Sequence, residues 1–357
     1  MGYVMYRFAL WTVLSLGVLS SVQAQEQYEP ITPENVTQLA SVGRVDFADL
    51  PPEAGEVING RVIINDDGSL IAVVNRQSQI VILSDKFDLV YVSDVLLTDD
   101  DFPATFIDGN FAIGNRHLFV AVHVSGGAYT ISVLDLDSSA ETQRYASDDQ
   151  PVSIWLNAGK VWLEVVPAEP DKLPYLLKFA LPLRDSAPVR HPFVPAEDED
   201  TVVRIGRLHP PLAVTVSENA EVKRWNLETG DLTAIAQVAQ IPIYGYTTPN
   251  GNTLLWRDPS SLALHILDFE TGDDQAVVDL DGVYVPFMFL NPLADVIVGA
   301  YVDDEPLVAV WQVDTGRYQP LGLYRQCQPD MVRLSADGST LIIGCDMGLD
   351  VWRVRAE

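Results

Sequence analysis

Catalysis and metal binding need particular side chains at particular spacings, and three sets of residues here have suitable types: five histidines, two cysteines and several carboxylate runs. The histidines, His117, His123, His191, His209 and His265, occur singly, with no His-Glu-x-x-His to hold zinc on one helical face. No Gly-x-Ser-x-Gly places a serine on a strained turn, and no Gly-x-x-x-x-Gly-Lys cradles a phosphate. The carboxylates do cluster. Asp99, Asp100 and Asp101 form one run, and Asp148 adjoins Asp149. Glu197, Asp198, Glu199 and Asp200 form another run, as do Asp303, Asp304 and Glu305. Such runs suit a hard cation that takes several oxygen ligands. None has the spaced Asp-x-Asp-x-Asp-Gly order of a calcium loop, so no cofactor is expected, calcium being the one candidate these residue types admit.

The chain of 357 residues carries 50 Asp and Glu against 22 Lys and Arg, a formal charge of −28. That excess favours solubility and repels nucleic acid, which needs a basic face. At the start, Arg7 precedes an apolar run from Phe8 to Val22, and Val22-Gln23-Ala24 has the small-x-small form of a cleavage site. Residues 1–24 therefore read as a secretory signal peptide, and residues 25–357 as one exported domain, secreted or held in the cell envelope. Retention of the segment as an anchor stays open. No later segment is apolar enough over sufficient length to span a bilayer.

The elements that must position these groups appear as a repeat. "VKRWNLETGD", "LHILDFETGD" and "VAVWQVDTGR" share an alternating strand followed by a Thr-Gly turn. Looser copies are "QIVILSDKFD", "TISVLDLDSS", "PYLLKFALPL" and the final "LDVWRV". Anchored on Leu83, Leu134, Phe179, Trp225, Leu267, Trp311 and Trp352, the copies lie 41 to 51 residues apart. Ahead of each anchor a tight turn joins two apolar runs, as in "IINDDGSLIAVV", "YTTPNGNTLLW" and "LSADGSTLIIG". Asp-Gly and Asn-Gly tolerate the positive φ of such turns. Seven copies at this period, with little helical patterning, predict an all-β fold: a seven-bladed β-propeller of four-stranded antiparallel blades.

On "SADGS", the aromatic or leucine late in the third strand and the recurring "xTG" turn, the chain resembles the WD-repeat β-propeller family, as a divergent member of an exported bacterial type. The lead-in "ITPENVTQL" resembles that of exported bacterial members. The Trp-Asp pair itself is absent, replaced by Trp225-Asn226, Trp311-Gln312 and Trp352-Arg353, and so is the histidine that many members carry before the first strand. Blades are expected at about 57–97, 103–147, 151–196, 201–239, 241–281, 283–326 and 327–357. The last blade lacks a fourth strand. A strand at about 36–47 is expected to supply it and close the ring.

In this architecture the acidic runs named above fall on the loops of one face, the top, where only Arg76 and Lys172 oppose them. The other face mixes acids with Lys86, Arg116, Lys160, Arg184 and Arg317. The bland reading is a solvated acidic surface. The sharper one is a face that steers a basic partner. The resemblance also brings Cys327 and Cys345 close together in the closing blade, and an exported chain permits their disulfide; two buried thiols or a redox pair are the alternatives. Trp155, Trp162 and Trp256 are expected to fill the space between blades rather than to form a binding platform. The expectation is a monomeric, non-catalytic scaffold that binds a protein or peptide through acidic top-face loops. The rival is a hydrolase-like enzyme, or a small-ligand or metal binder, using the central channel.

Overall fold

The computed structural model describes residues 28–355 except 78, 94–104, 113–116, 124–128, 139, 158–159, 170–171, 173–174, 181–187, 193–201, 206–211, 243–244, 249, 279–284, 286, 302–306, 324–328 and 346. Apart from three short 3-10 turns near the start, the regular structure of these residues is β. It forms seven antiparallel sheets, six of which pair their strands in chain order. Blade 1 spans 57–92, blade 2 105–147, blade 3 150–192, blade 4 202–237, blade 5 245–278 and blade 6 287–323. The second and third strands of a blade are packed between neighbours on both faces. They therefore read as nearly unbroken apolar runs, such as Leu70–Asn75 and Ile80–Ser84.

The turn between the first two strands is built alike in blades 1, 5, 6 and 7. A buried polar residue opens it: Asn65, Thr248, Asn291 or Ser335. Its side chain accepts the N–H of the residue that starts or leads into the second strand (Leu70, Thr253, Val296 or Thr340) at 2.9 to 3.2 Å. The residue three places on takes positive φ: Gly68, Gly251, Ala294 or Gly338. All three of these glycines also allow close approach by the preceding blade, Gly338 with a Cβ that would stand 2.8 Å from Pro292 Cδ. A Cβ on Gly68 would stand 2.2 Å from Thr340 Oγ1, and one on Gly251 2.4 Å from a Leu212 methyl.

Blade 7 is built from both ends of the chain. Pro329–Leu334, Thr340–Cys345 and Gly348–Arg355 form its first three strands, and Ala40–Asp46 pairs antiparallel along the last as the outer strand. Tyr28–Glu29 pair further along the same edge, with Arg355 and Val354. Residues 30–39 leave the edge between these two pairings. Val36–Gln38 turn as a 3-10 helix rather than continuing the strand. Ile31, Val36 and Leu39 enter the apolar core between blades 6 and 7, with Phe289, Val298, Trp311 and Val332. Polar groups pin this strap: Ile31 N–H donates to Gly338 O (2.9 Å), Asn291 Nδ2 to Ile31 O (2.9 Å) and Gln312 Nε2 to Pro33 O (2.9 Å). Gly348 lets the outer strand come close, since a Cβ there would lie 2.1 Å from Val45 O.

Candidate partner-binding faces

The strand directions put the loops after each second strand and the connections between blades on one face, as the acidic-face expectation requires. Of the acids assigned to it, Asp99, Asp100, Asp101, Glu197, Asp198, Glu199, Asp200, Asp303, Asp304 and Glu305 lie outside the described residues. Asp148 and Asp149 form the whole connection between blades 2 and 3, and they differ. Asp148 is exposed. Asp149 is a staple: Tyr175 Oη donates to Oδ2 at 2.6 Å, Ala168 N–H donates to Oδ1 at 3.0 Å, and its own N–H donates to Ser147 Oγ. The Tyr175 hydrogen bond, followed by that from Ala168, holds the Asp149 carboxyl below the usual carboxylate range. Burial, and then the same carboxylate, push the Tyr175 phenol well up. Arg190 lies over the Tyr175 ring at 3.7 Å. Elsewhere on this face Glu56 pairs with Arg76 at 3.0 Å and Glu169 with Lys172 at 2.7 Å. Both pairs are largely exposed and so add little stability, though they neutralise two of the acids. Glu53 and Glu218 are exposed.

Cys345 closes the second strand of blade 7, is buried and is disulfide-bonded; the chain's other cysteine, Cys327, lies outside the described residues. Trp162 and Trp256 are buried, so neither offers a sugar or peptide platform. The side chain of Asn35, in the sequon Asn35-Val36-Thr37, is also committed. Its Nδ2 donates to Pro30 O and its Oδ1 accepts Thr32 N–H, each at 2.8 Å, so the folded strap offers no acceptor amide for a glycan. Among the described residues no group of three His, Cys, Asp or Glu side chains is placed to hold a metal, and no helix is long and apolar enough to cross a membrane.

A second candidate surface lies where blades 3 and 4 meet. Buried apolar clusters join blades 7 and 1, 1 and 2, 2 and 3, 4 and 5, and the run of blades 5, 6 and 7. No such cluster of described residues joins blade 3 to blade 4. Buried Trp162, Leu176 and Trp225 face this seam, and polar groups meet around them. Glu228, in the turn after the third strand of blade 4, accepts from both Lys160 and Lys178 of blade 3, the latter at 3.2 Å. Lys178 also sits 5.0 Å above the Trp162 ring, and His191 packs on the same ring at 5.3 Å. His191 Nε2 is buried with no hydrogen-bond partner, and burial, then Lys178, hold its pKa below the usual imidazole range. The two lysines hold the Glu228 carboxyl low.

Compared with known proteins, the chain matches no family model, and no curated protein matches it in sequence. Solved structures do match. A chain of a mitotic checkpoint complex aligns with TM-score 0.59 at 12% identity, over 89% of this chain and 95% of that one. The β-propeller domain of Cps50 (Swd1) from Myceliophteria thermophila aligns with TM-score 0.59 at 12% identity, over 88% of this chain and 99% of that domain. Neighbours of this kind are WD-repeat propellers. The fold is theirs.

Within this propeller two residues at the recurring strand position make defined contacts. Trp225 Nε1 donates to a hydroxyl of the neighbouring strand, Thr215 Oγ1, at 2.9 Å. Arg353, after Trp352, reaches further. It is buried and donates from Nε to Thr340 Oγ1 (2.9 Å), from Nη1 to Asp85 Oδ2 (2.7 Å) and from Nη2 to Gly68 O. It thereby ties the last blade of the propeller to the first. The sequence reading missed both Arg353 and Glu228. For Arg353 a signal existed, a cation where the repeat calls for an acid. For Glu228 there was none, because its "LETGD" turn is nearly identical to the "FETGD" turn of blade 5.

Proposed function

We propose that the protein is an exported, monomeric, non-catalytic scaffold that binds a protein or peptide of basic character through the acidic loops of the propeller's top face. The observation that carries this reading is the charge: 50 acids against 22 bases, with exposed carboxylates at Glu53, Asp148 and Glu218 on that face. A rigid ring that presents variable loops suits recognition, although a fold does not by itself specify a function. One structural neighbour belongs to a multi-protein complex, which is consistent with a scaffold role. The leader pattern supports export, and so does a disulfide at Cys345, since disulfides persist in oxidising compartments.

The test is a pull-down from native envelope extract with the mature chain as bait. A second bait has Asp99, Asp100, Asp101, Glu197, Asp198, Glu199 and Asp200 changed to Asn or Gln. A partner kept by the first bait and lost by the second is the expected result. A partner kept equally by both removes the acidic face as its site. Retention by neither bait removes the scaffold reading and directs attention to the central channel.

A further inference from the structure

We infer that an apolar ridge of Pro30, Pro292 and Leu293, where the strap meets blades 6 and 7, docks a partner protein through an apolar side chain flanked by Lys or Arg. The ridge lies on the face opposite the acidic top loops, so the inference goes beyond the scaffold reading. Single exposed leucines are ordinary on protein surfaces. Here, however, the repeat shows what position 293 would otherwise hold. The turn between the first two strands reads Asn65-Asp66-Asp67-Gly68-Ser69 in blade 1 and Ser335-Ala336-Asp337-Gly338-Ser339 in blade 7, and Asn250-Gly251-Asn252 complete it in blade 5. In all three the third residue is Asp or Asn, and its Oδ1 accepts the N–H of the fifth at 2.9 to 3.0 Å. The fourth is a glycine at positive φ. Blade 6 reads Asn291-Pro292-Leu293-Ala294-Asp295 and departs at both places. Ala294 takes φ 62°, a conformation its Cβ disfavours. Asn291 Oδ1 accepts the Asp295 N–H that residue 293 would otherwise take. Leu293 is left 63% exposed. Neither departure serves the turn, and strain kept in one of four otherwise similar turns points to a role outside the fold.

The ridge is continuous. A Cβ on Gly338 would meet Pro292 Cδ at 2.8 Å and Pro30 Cβ at 3.9 Å, so the two prolines adjoin, with Leu293 next in the chain. Its own surroundings select the occupant by charge. The three segments that meet here, 28–39, 291–295 and 335–339, carry Glu29, Glu34, Asp295 and Asp337 and no Lys or Arg. Glu29, Glu34 and Asp337 are exposed. Burial, and then Glu34 and Asp314, raise the Asp295 carboxyl, so these like charges lie close enough to act on one another. The adjoining 312–317 turn of blade 6 adds one base, Arg317, beside Asp314. In the last strand Arg353 is buried and held by Asp85, and Arg355 lies opposite Tyr28, two residues from Pro30. Five carboxylates thus stand against Arg317 and Arg355. A partner's apolar side chain would cover Leu293 while its flanking bases meet these acids. A second copy of the ridge, itself acidic, would be repelled.

The test selects short random peptides displayed on phage against the wild-type chain, with counter-selection on the double variant Leu293→Asn with Ala294→Gly. That variant restores the Asn-Gly of the blade 5 turn and leaves the charge unchanged. An enriched peptide is then labelled and titrated by anisotropy into the wild type, the double variant and the bait whose top-face acids are neutralised. Expected are peptides with a large apolar residue between Lys or Arg, binding about tenfold or more weaker in the double variant, and no change in the top-face variant. The unfolding midpoint of the double variant should be no lower than that of the wild type, because the turn is relieved of its strain. Enrichment of no peptide, or of peptides without basic flanks, overturns the inference, as does equal binding to the double variant. A double variant less stable than the wild type also overturns it, since Leu293 and Ala294 would then serve the fold. So does self-association of the wild type, seen by sedimentation, that the double variant abolishes, because the ridge then belongs to a second copy.

Discussion

The seam between blades 7 and 1 and the seam between blades 3 and 4 both bury apolar side chains, but their described polar fastenings differ: one is a buried arginine, the other a partly exposed carboxylate between two lysines. The first is apolar in its interior, with Val73, Leu83, Ile342 and Val351 among its buried side chains, and one buried arginine crosses it. The second buries Trp162, Leu176 and Trp225 and is fastened by Glu228, which accepts from two partly exposed lysines beside a His191 Nε2 that has no hydrogen-bond partner. The difference follows from chain continuity. Blades 3 and 4 are joined by the backbone, so opening their seam leaves them tethered. Blade 7 is completed by a strand from the other end of the sequence, and only non-covalent contacts hold that strand in register. Loop-closure entropy opposes such a long-range contact, so tight, buried interactions concentrate there.

The comparison is broken most directly at Gly348. Replacement by Ala puts a Cβ against the backbone of Val45 and should cost about 3 kcal/mol or more, with loss of exchange protection in 40–46 ahead of global unfolding. Next comes Arg353→Met. It leaves Asp85 and the Gly68 carbonyl without their donor and should cost about 3 kcal/mol, measured by denaturant unfolding. At the other seam Glu228→Gln should cost only about 0.5–1 kcal/mol, because its partners are partly exposed. That loss should shrink in molar salt, while the Arg353 loss should not. If the two losses respond alike to salt, the contrast between the seams is wrong.

The smallest expected effect sharpens the contrast through pH. His191 has a lowered folded pKa, so the unfolded state binds its proton first, and stability falls as pH drops below about 6.5. Glu228, also lowered, keeps its stabilising contribution above the ordinary glutamate range and loses it as pH falls through the depressed value. In the closing arc the sign reverses for Asp66 and Asp295. Burial raises both, so the folded state takes up protons first and gains stability as pH falls through their raised values. Acidification from pH 7 to 4.5 should therefore raise exchange in 160–178 and 221–228 before it does so in 340–355. His191→Gln should flatten the first part of that response, and an unchanged profile in that variant would remove His191 as its source.

Much of the fold was legible in the sequence, and the reason is local. Thr229-Gly230, Thr271-Gly272 and Thr315-Gly316 each place a glycine at positive φ a few residues after a strand that alternates or runs apolar. A repeated requirement of that kind leaves a repeated spelling. The missing strand of blade 7 was also legible, because "QLASVGRVDF" had no blade of its own, although the strap of residues 30–39 was not. Its Pro-Glu-Asn lead-in says nothing about a seat between blades 6 and 7. The candidate site was legible only as charge. Asp148 and Asp149 look equivalent in sequence, yet one faces solvent and the other is fastened by Tyr175, 26 positions away.

By itself, then, the sequence determined the number of blades, the strand order within each, the sign of the surface charge and the need for a closing strand. The charge follows from composition, and the others rest on interactions within a turn or between neighbouring strands. Only the tertiary structure decided which blade faces meet and with what chemistry. Arg353 reaches Asp85 across 268 positions and Ser41 reaches Asp350 across 309. Whether an edge or a carboxylate stays open depends on such distant partners, which no local pattern encodes.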